Sequence, residues 1–140
     1  MLSSSDIKRA LRDGGFEIYQ TKGDVVHLAE RVRENLIMDA GVRVSARELT
    51  VSFYARAEQS SFPGESPDEL LSRAAALGEP AEARGYRRVR SFTTDVPDPS
   101  RNDHTLDRWF QVQFDKSLAS VDELLDEVRF AIEQDKLATR

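Results

Sequence analysis

The sequence predicts a two-layer α+β domain in which a mixed four-stranded sheet carries its helices mainly on one face. Some segments place apolar residues at three- and four-residue spacing, as on the buried stripe of a helix. Other segments alternate apolar and polar residues, whereas strands buried on both faces are continuously apolar. We therefore expect the element order α-β-α-β-α-β-β-α in a single domain spanning residues 1–140.

Residues 24–38 predict the helix around which the other elements are arranged. Asp24 can cap the first turn, and Gly41 lies where a left-handed residue commonly ends a helix. Strands are expected before this helix at residues 16–20 and after it at residues 49–57. A right-handed crossover would make these two strands parallel. The apolar stripe of the helix consists of Val25, Leu28, Ala29, Val32 and Leu36.

The remaining elements follow from capping and turn signals. A short helix is expected over residues 5–13, before Gly14-Gly15. Ser66-Pro67-Asp68-Glu69 forms a capping box with Pro at the first helical position, and Ser120 to Glu123 repeats the box before the last helix. Strands at residues 86–96 and 106–115 should pair as an antiparallel hairpin across a polar loop.

Composition restricts the classes of function. The chain of 140 residues contains no cysteine, which excludes disulfides, thiolate metal sites and cysteine nucleophiles. It lacks an apolar run of the roughly 18 residues needed to cross a bilayer, and its first residues lack the apolar core of a signal peptide. We expect a cytoplasmic protein with no membrane association. Because no catalytic constellation is evident, the sequence favours a non-catalytic protein over a small enzyme without excluding the enzyme, and we expect no cofactor and no bound metal.

The sheet face opposite the helices is the leading candidate for a binding surface. Aromatic and arginine side chains are enriched at protein interfaces, and strand parity places several of them on this face. We therefore expect a non-catalytic interaction module that binds itself as a homodimer or binds another protein. The residues assigned to the surface are Tyr19, Tyr54, Arg56, Arg88, Arg90, Trp109 and Gln111.

Two alternatives use other residues. Lys22, at the start of the predicted central helix, could bind an anion. If the first two strands are parallel, the 21–24 and 58–66 loops share one sheet edge, where Ser60 and Ser61 could help to hold a small phosphorylated ligand or substrate. RNA could instead bind the basic stretch of residues 84–90 beside Trp109. The net charge of −5 means that the chain as a whole does not attract nucleic acid.

Overall fold

The computed structural model describes residues 2–137, and its element order differs from the predicted one. Short 3₁₀ turns also occur at Gln59–Ser61 and Val121–Glu123. The helices and strands are α1 (Ser4–Asp13), β1 (Ile18–Lys22), β2 (Val25–Arg33), β3 (Leu36–Ser45), β4 (Thr50–Glu58), α2 (Pro67–Leu77), α3 (Glu79–Ala83), β5 (Arg87–Pro97), β6 (Thr105–Ser117) and α4 (Leu124–Leu137).

Within residues 2–137, the strands form one six-stranded sheet in the order β1-β2-β3-β4-β6-β5. Strands β1 to β4 are consecutive antiparallel neighbours. The predicted mixed four-stranded sheet is therefore wrong. The segment expected to form a crossover helix instead supplies two strands, so β1 and β4 run in opposite directions. The premise that placed the 21–24 and 58–66 loops at one edge of the sheet is lost with the parallel pair.

Most of residues 24–38 lie in β2 and β3, and the first part of β2 is an inner strand that buries side chains on both faces. Val26 and Leu28 are fully buried, and His27, which points to the other side, is only 5% exposed. Inner strands of this kind are continuously apolar and lose the period-two alternation. The three- and four-residue spacing therefore reflects apolar content in a strand hairpin rather than a helical stripe.

A β-bulge with two extra residues in β3 explains Gly41. The register of β2 and β3 moves from His27 opposite Arg43 to Ala29 opposite Asp39, so β3 advances four residues while β2 advances two. Gly41 has a φ of +81°, the left-handed conformation expected from the sequence, but it lies in a bulge and not at a helix end. A Cβ atom at this position would lie 2.7 Å from Oδ1 of Asp135.

The described chain divides into two compact units. The first contains the residues up to Phe53 together with Asp115–Asp135, and the second contains Tyr54–Phe114 with Lys136 and Leu137. Strands β4 and β6 contribute residues to both units.

In the first unit, helices α1 and α4 bury their apolar faces. A capping box between Ser3 and Asp6 starts α1. At its other end, a Cβ atom on Gly14 would lie 2.5 Å from Cδ2 of Leu125. Lys116 of β6 donates to the buried Glu127 of α4 at 2.8 Å. The buried side chains of these helices include Ile7, Leu11, Leu124, Val128 and Ala131.

In the second unit, α2 starts at the predicted capping box, where the amide of Glu69 donates to the Ser66 hydroxyl at 3.2 Å. The C-terminal end of α2 packs closely on β6, since a Cβ atom on Gly78 would lie 2.0 Å from Cζ of Phe114. One face of the strands is thereby covered. Its buried residues include Ala55, Ala57, Phe110, Val112 and Phe114.

Among residues 2–137, the structure contains no helix with both the length and the apolar character needed to span a bilayer.

Candidate functional site

The second unit has a sheet face of half-buried and exposed aromatic and polar side chains. Along β4, Tyr54 and Arg56 alternate with the buried alanines, and along β6, Trp109 and Gln111 alternate with buried Phe110 and Val112. We call this surface the aromatic–arginine face. It consists of Tyr54, Arg56, Arg90, Phe92, Thr94, Trp109, Gln111 and Gln113.

Arg56 and Trp109 form a cation–π pair on this face. The guanidinium carbon of Arg56 lies 3.9 Å from the centre of the Trp109 ring. Nε of Arg56 also donates to Glu58 at 3.1 Å. Such a pair contributes about 0.5–2 kcal/mol, with the larger values for desolvated pairs. Because both side chains are already ordered, a binding partner would cost them little further conformational entropy.

Asp107 fixes the edge of the tryptophan. Its carboxylate accepts hydrogen bonds from the Trp109 indole at 3.1 Å, from the Arg108 amide at 2.8 Å, and from the amide and hydroxyl of Ser60 at 2.9 and 2.8 Å. Burial disfavours the charged carboxylate, but these donors outweigh burial and lower the pKa of Asp107. Asp107 thus holds both the 3₁₀ turn and the indole ring.

A second cluster extends the face to β5. The rings of Tyr54 and Phe92 meet edge to face, with centres 5.7 Å apart. The guanidinium carbon of Arg90 lies 4.8 Å from the centre of the Phe92 ring, and Nε of Arg90 donates to Gln113 at 2.7 Å. On the same strands, the Thr94 hydroxyl donates to Gln111 at 2.8 Å. Side-chain contacts therefore tie together all three strands of the face.

The remaining residues assigned to the surface from sequence lie outside this cluster. Tyr19 belongs to the first unit, where it is on β1 with 43% of its surface exposed. Arg88 is on β5 and is bound to Glu82 by an ion pair of 3.1 Å. Arg84 caps the C-terminal end of α3, so the basic stretch of residues 84–90 spans a helix end and a strand.

The residues assigned to an anion site occupy different surroundings from those predicted. Lys22 ends β1, and Gly23 makes the turn into β2 with a φ of +61°, so no helix starts there. Ser60 directs both its donors to the carboxylate of Asp107, and Ser61 is exposed at the end of the 3₁₀ turn. A depression of about 310 Å³ beside Ser60 is lined by Asp107 and Arg108, among others.

Sequence reasoning missed the structural role of Asp107. The sequence places it near the start of the predicted strand of residues 106–115, just after an acidic stretch that contains Asp98, Asp103 and His104. Among residues 2–137, the structure contains no group of three or more His, Cys, Asp or Glu side chains able to hold a metal ion. Asp107 is the third residue of β6, two residues before Trp109 and therefore on the same face. That spacing is the signal that could have identified the pair.

His27 is the buried histidine of the first unit. Its Nδ1 lies 3.5 Å from Oδ2 of Asp39, at the long limit of hydrogen bonding. Burial and then the nearby charge of Arg43 lower the pKa of His27, and Asp39 only partly opposes them. His27 is therefore neutral at neutral pH, and its protonation is coupled to the fold of the first unit.

No protein-family model matches the chain, and no curated protein or solved structure matches it either. Evidence on function therefore comes from the contacts of the chain itself. These contacts concentrate ordered aromatic and guanidinium groups on the aromatic–arginine face of the second unit.

Proposed function

We propose that the protein is a non-catalytic self-association module whose aromatic–arginine face binds the same face of a second copy. The observation that carries the proposal is the ordered Arg56–Trp109 stack, which lies on one sheet face with the Tyr54–Phe92 pair. Tryptophan, tyrosine and arginine are the residues that most often dominate the energy of protein interfaces. As the composition predicts, the expected compartment is the cytoplasm.

The face has the mixed chemistry that a two-fold contact requires. In such a contact the same patch lies on both copies, so each residue type must meet a complementary one. The face offers cations, Arg56 and Arg90, together with the negative π-surfaces of Trp109 and Phe92. Glu58 adds a carboxylate beside Arg56. A rotated copy can therefore present a ring or a carboxylate to each guanidinium.

The alternatives receive less support from the contacts. A phosphorylated ligand at Ser60 would have to displace Asp107 from both donors of that serine and would meet its negative charge. A base stacking on Trp109 would compete with Arg56, and Arg88 of the basic stretch is already paired with Glu82. Self-association needs neither pair to be broken.

The proposal is tested by measuring molar mass with light scattering over a concentration series. We expect the wild type to have twice the chain mass. Arg90→Glu would place a carboxylate against the partner's rings and should raise the dimer Kd by at least about tenfold, the effect of losing roughly 1.4 kcal/mol. Trp109→Ala should act in the same direction.

Arg108→Ala is the matched control. Arg108 is adjacent to Trp109 on β6 but points to the opposite face, where it pairs with Asp95. This variant should keep the dimer Kd of the wild type. The proposal is wrong if the wild type is a monomer at every concentration, or if its mass is unaffected by both Arg90→Glu and Trp109→Ala. Quenching of Trp109 fluorescence by single-stranded RNA at low salt would favour the RNA alternative instead.

A further inference from the structure

Strand β5 is an end strand of the sheet, and it is exposed on both faces. The strand order places β6 on one side of β5 and no strand of residues 2–137 on the other side. Nine of its eleven residues are exposed, and only Phe92 and Val96 are half-buried. The helices that cover β4 and β6 therefore leave β5 uncovered, and its outer backbone edge is open to pairing with another strand.

Strand β5 carries opposite charges towards its two ends. Arg87 begins the strand and Asp95 lies near its end, and both point to the face opposite the aromatic–arginine face. Asp95 pairs with Arg108 of β6 at 2.7 Å, but the Asp95 side chain remains 57% exposed. Arg87 is also exposed. A second copy of β5 that runs antiparallel would bring each of these charges to the opposite charge of its neighbour.

We propose that the outer edge of β5 pairs antiparallel with the same edge of a second copy, with Ser91 on the two-fold axis. In such a pair, residues directly opposite each other point to the same side of the sheet, so the axis must pass through a residue. With Ser91 at the axis, residues 87–95 of the two copies overlap. The opposed pairs are then Arg87–Asp95, Arg88–Thr94, Val89–Thr93 and Arg90–Phe92, each formed twice.

This register matches the chemistry of the opposed side chains. Each Arg87 guanidinium faces an Asp95 carboxylate, and opposite charges directly across a strand pair are stabilising. Arg90 faces the Phe92 ring of the other copy, and it already lies 4.8 Å from the ring centre of Phe92 on its own strand. The two Arg90 side chains lie diagonally across the axis, but each donates its Nε to Gln113 of its own β6 at 2.7 Å and is thereby directed away from the edge.

The neighbouring registers are less favourable. An axis one residue earlier sets the two Arg90 side chains directly against each other, and an axis one residue later sets the carboxylate of Asp95 against Val89. An axis two residues later extends the overlap to Pro97, which has no N–H to donate, and leaves Arg87 beyond the end of the partner strand. The charges of β5 therefore select one register.

A second copy also fits this edge better than an acidic strand of a different protein. An acidic strand would satisfy Arg87 but would bring like charge to Asp95, whereas an antiparallel β5 satisfies both. Because the axis is perpendicular to the sheet, the aromatic–arginine faces of both copies lie on the same side of the joined sheet. Each face remains open to the face-to-face contact, so the edge pairing joins face-to-face dimers at higher protein concentration.

Single cysteines test the register directly, because the chain contains none. At the axis, the two Cα atoms of position 91 would lie about 4.5–5.5 Å apart, within the range of roughly 4.4–6.8 Å that a disulfide requires. Ser91→Cys should therefore form a covalent dimer under mild oxidation, read on a non-reducing gel. Thr93→Cys is the matched control, since Thr93 is exposed on the same face of β5 but its two copies would lie about 14 Å apart.

A mixture of Val89→Cys and Thr93→Cys provides a second readout, because the register sets these two positions opposite each other. The mixed covalent dimer should exceed either homodimer. The proposal is overturned if Ser91→Cys cross-links no faster than Thr93→Cys, or if the Thr93→Cys homodimer exceeds the mixed dimer.

Charge reversal tests the ion pair that selects the register. In the Ser91→Cys background, Arg87→Glu should slow formation of the covalent dimer at least about threefold, because like charges then face each other in both symmetry-related pairs. Asp95→Arg should have the same effect, and the two changes together should restore the rate. A double variant as slow as the single ones overturns the proposal. Binding of an oligoglutamate peptide to a protein whose Ser91→Cys variant stays monomeric also overturns it, in favour of a foreign acidic strand.

The edge pairing and the face-to-face dimer are distinguished by variants specific to each. Arg87→Glu should leave the mass of the face-to-face dimer unchanged, and Ser91→Cys should still cross-link in the Trp109→Ala background. If Trp109→Ala leaves the mass unchanged while Ser91→Cys cross-links, the edge proposal holds and the face proposal fails. If Trp109→Ala dissociates the dimer while Ser91→Cys does not cross-link, the edge proposal fails and the face proposal holds.

Discussion

Replacing Asp107 with alanine should destabilise the second unit, because this carboxylate joins the 3₁₀ turn to the edge of Trp109. The substitution removes the acceptor for the Ser60 amide and hydroxyl, the Arg108 amide and the Trp109 indole. A hydrogen bond to a charged group contributes about 1.5–3 kcal/mol when it is buried.

The sum of these contributions overestimates the loss. Asp107 is only half-buried, so water can replace part of what the carboxylate supplied. We expect a loss of about 2 kcal/mol, and for a chain of this size that corresponds to a decrease in Tm of roughly 6 °C. Urea and thermal unfolding followed by the fluorescence of Trp109, the single tryptophan, measure it directly.

A matched control variant and the pH dependence of stability both test the role of Asp107. Asp95→Ala removes an exposed ion pair with Arg108 and should cost no more than about 0.5 kcal/mol.

Because the folded-state pKa of Asp107 is lowered, the contribution of its carboxylate to stability is present above the unfolded pKa, about 3.9, and is lost as the pH falls through the folded pKa. The difference between wild type and Asp107→Ala should therefore be constant from pH 7 to about 5 and shrink in stronger acid. An unchanged Tm for Asp107→Ala at pH 7 would refute the structural role of this residue.

Two further substitutions test the packing of each unit. In the first unit, the folded-state pKa of His27 is lowered, so the unfolded state takes up a proton first and the wild type should lose stability as the pH falls below about 6.5. His27→Gln should therefore flatten the dependence of Tm on pH between 7.5 and 5.5. Equal slopes in the wild type and in His27→Gln would contradict the coupling. In the second unit, Gly78→Ala should lower the free energy of unfolding in urea by about 1–3 kcal/mol, because its Cβ atom would collide with the buried ring of Phe114. Gly64→Ala is the control: its Cβ atom would have nothing within 4 Å, so it should change stability by less than about 1 kcal/mol. Equal urea midpoints for the two variants would show that the Phe114 ring moves aside without cost.

Much of the local structure could be predicted from the sequence. The capping boxes at Ser66 and Ser120 mark helix starts because they satisfy backbone donors within a few residues, and both are formed. The alternation along β4 and β6 also predicted which side chains are buried, since Phe53, Phe110 and Phe114 are covered and Tyr54 and Trp109 are half-buried. Strand parity therefore predicts which residues β4 and β6 contribute to the aromatic–arginine face.

The sequence did not reveal the β2–β3 hairpin. Val25, Leu28, Ala29, Val32 and Leu36 fit a helical stripe, but they equally fit an inner strand followed by an exposed arm. Nothing local separates these two possibilities, because the distinction depends on whether β1 and β3 pair with the two edges of the segment. Likewise, the requirement for a positive φ at Gly41 was readable, but its place in a bulge was not.

The sequence by itself determined where helices begin and which face of an alternating strand is apolar, because these properties depend on neighbours within a few positions. The tertiary structure decided the number and direction of the strands and the pairing of Asp107 with Ser60, which lies 47 residues away in the chain. Such contacts form only when distant segments are brought together, so no local pattern encodes them.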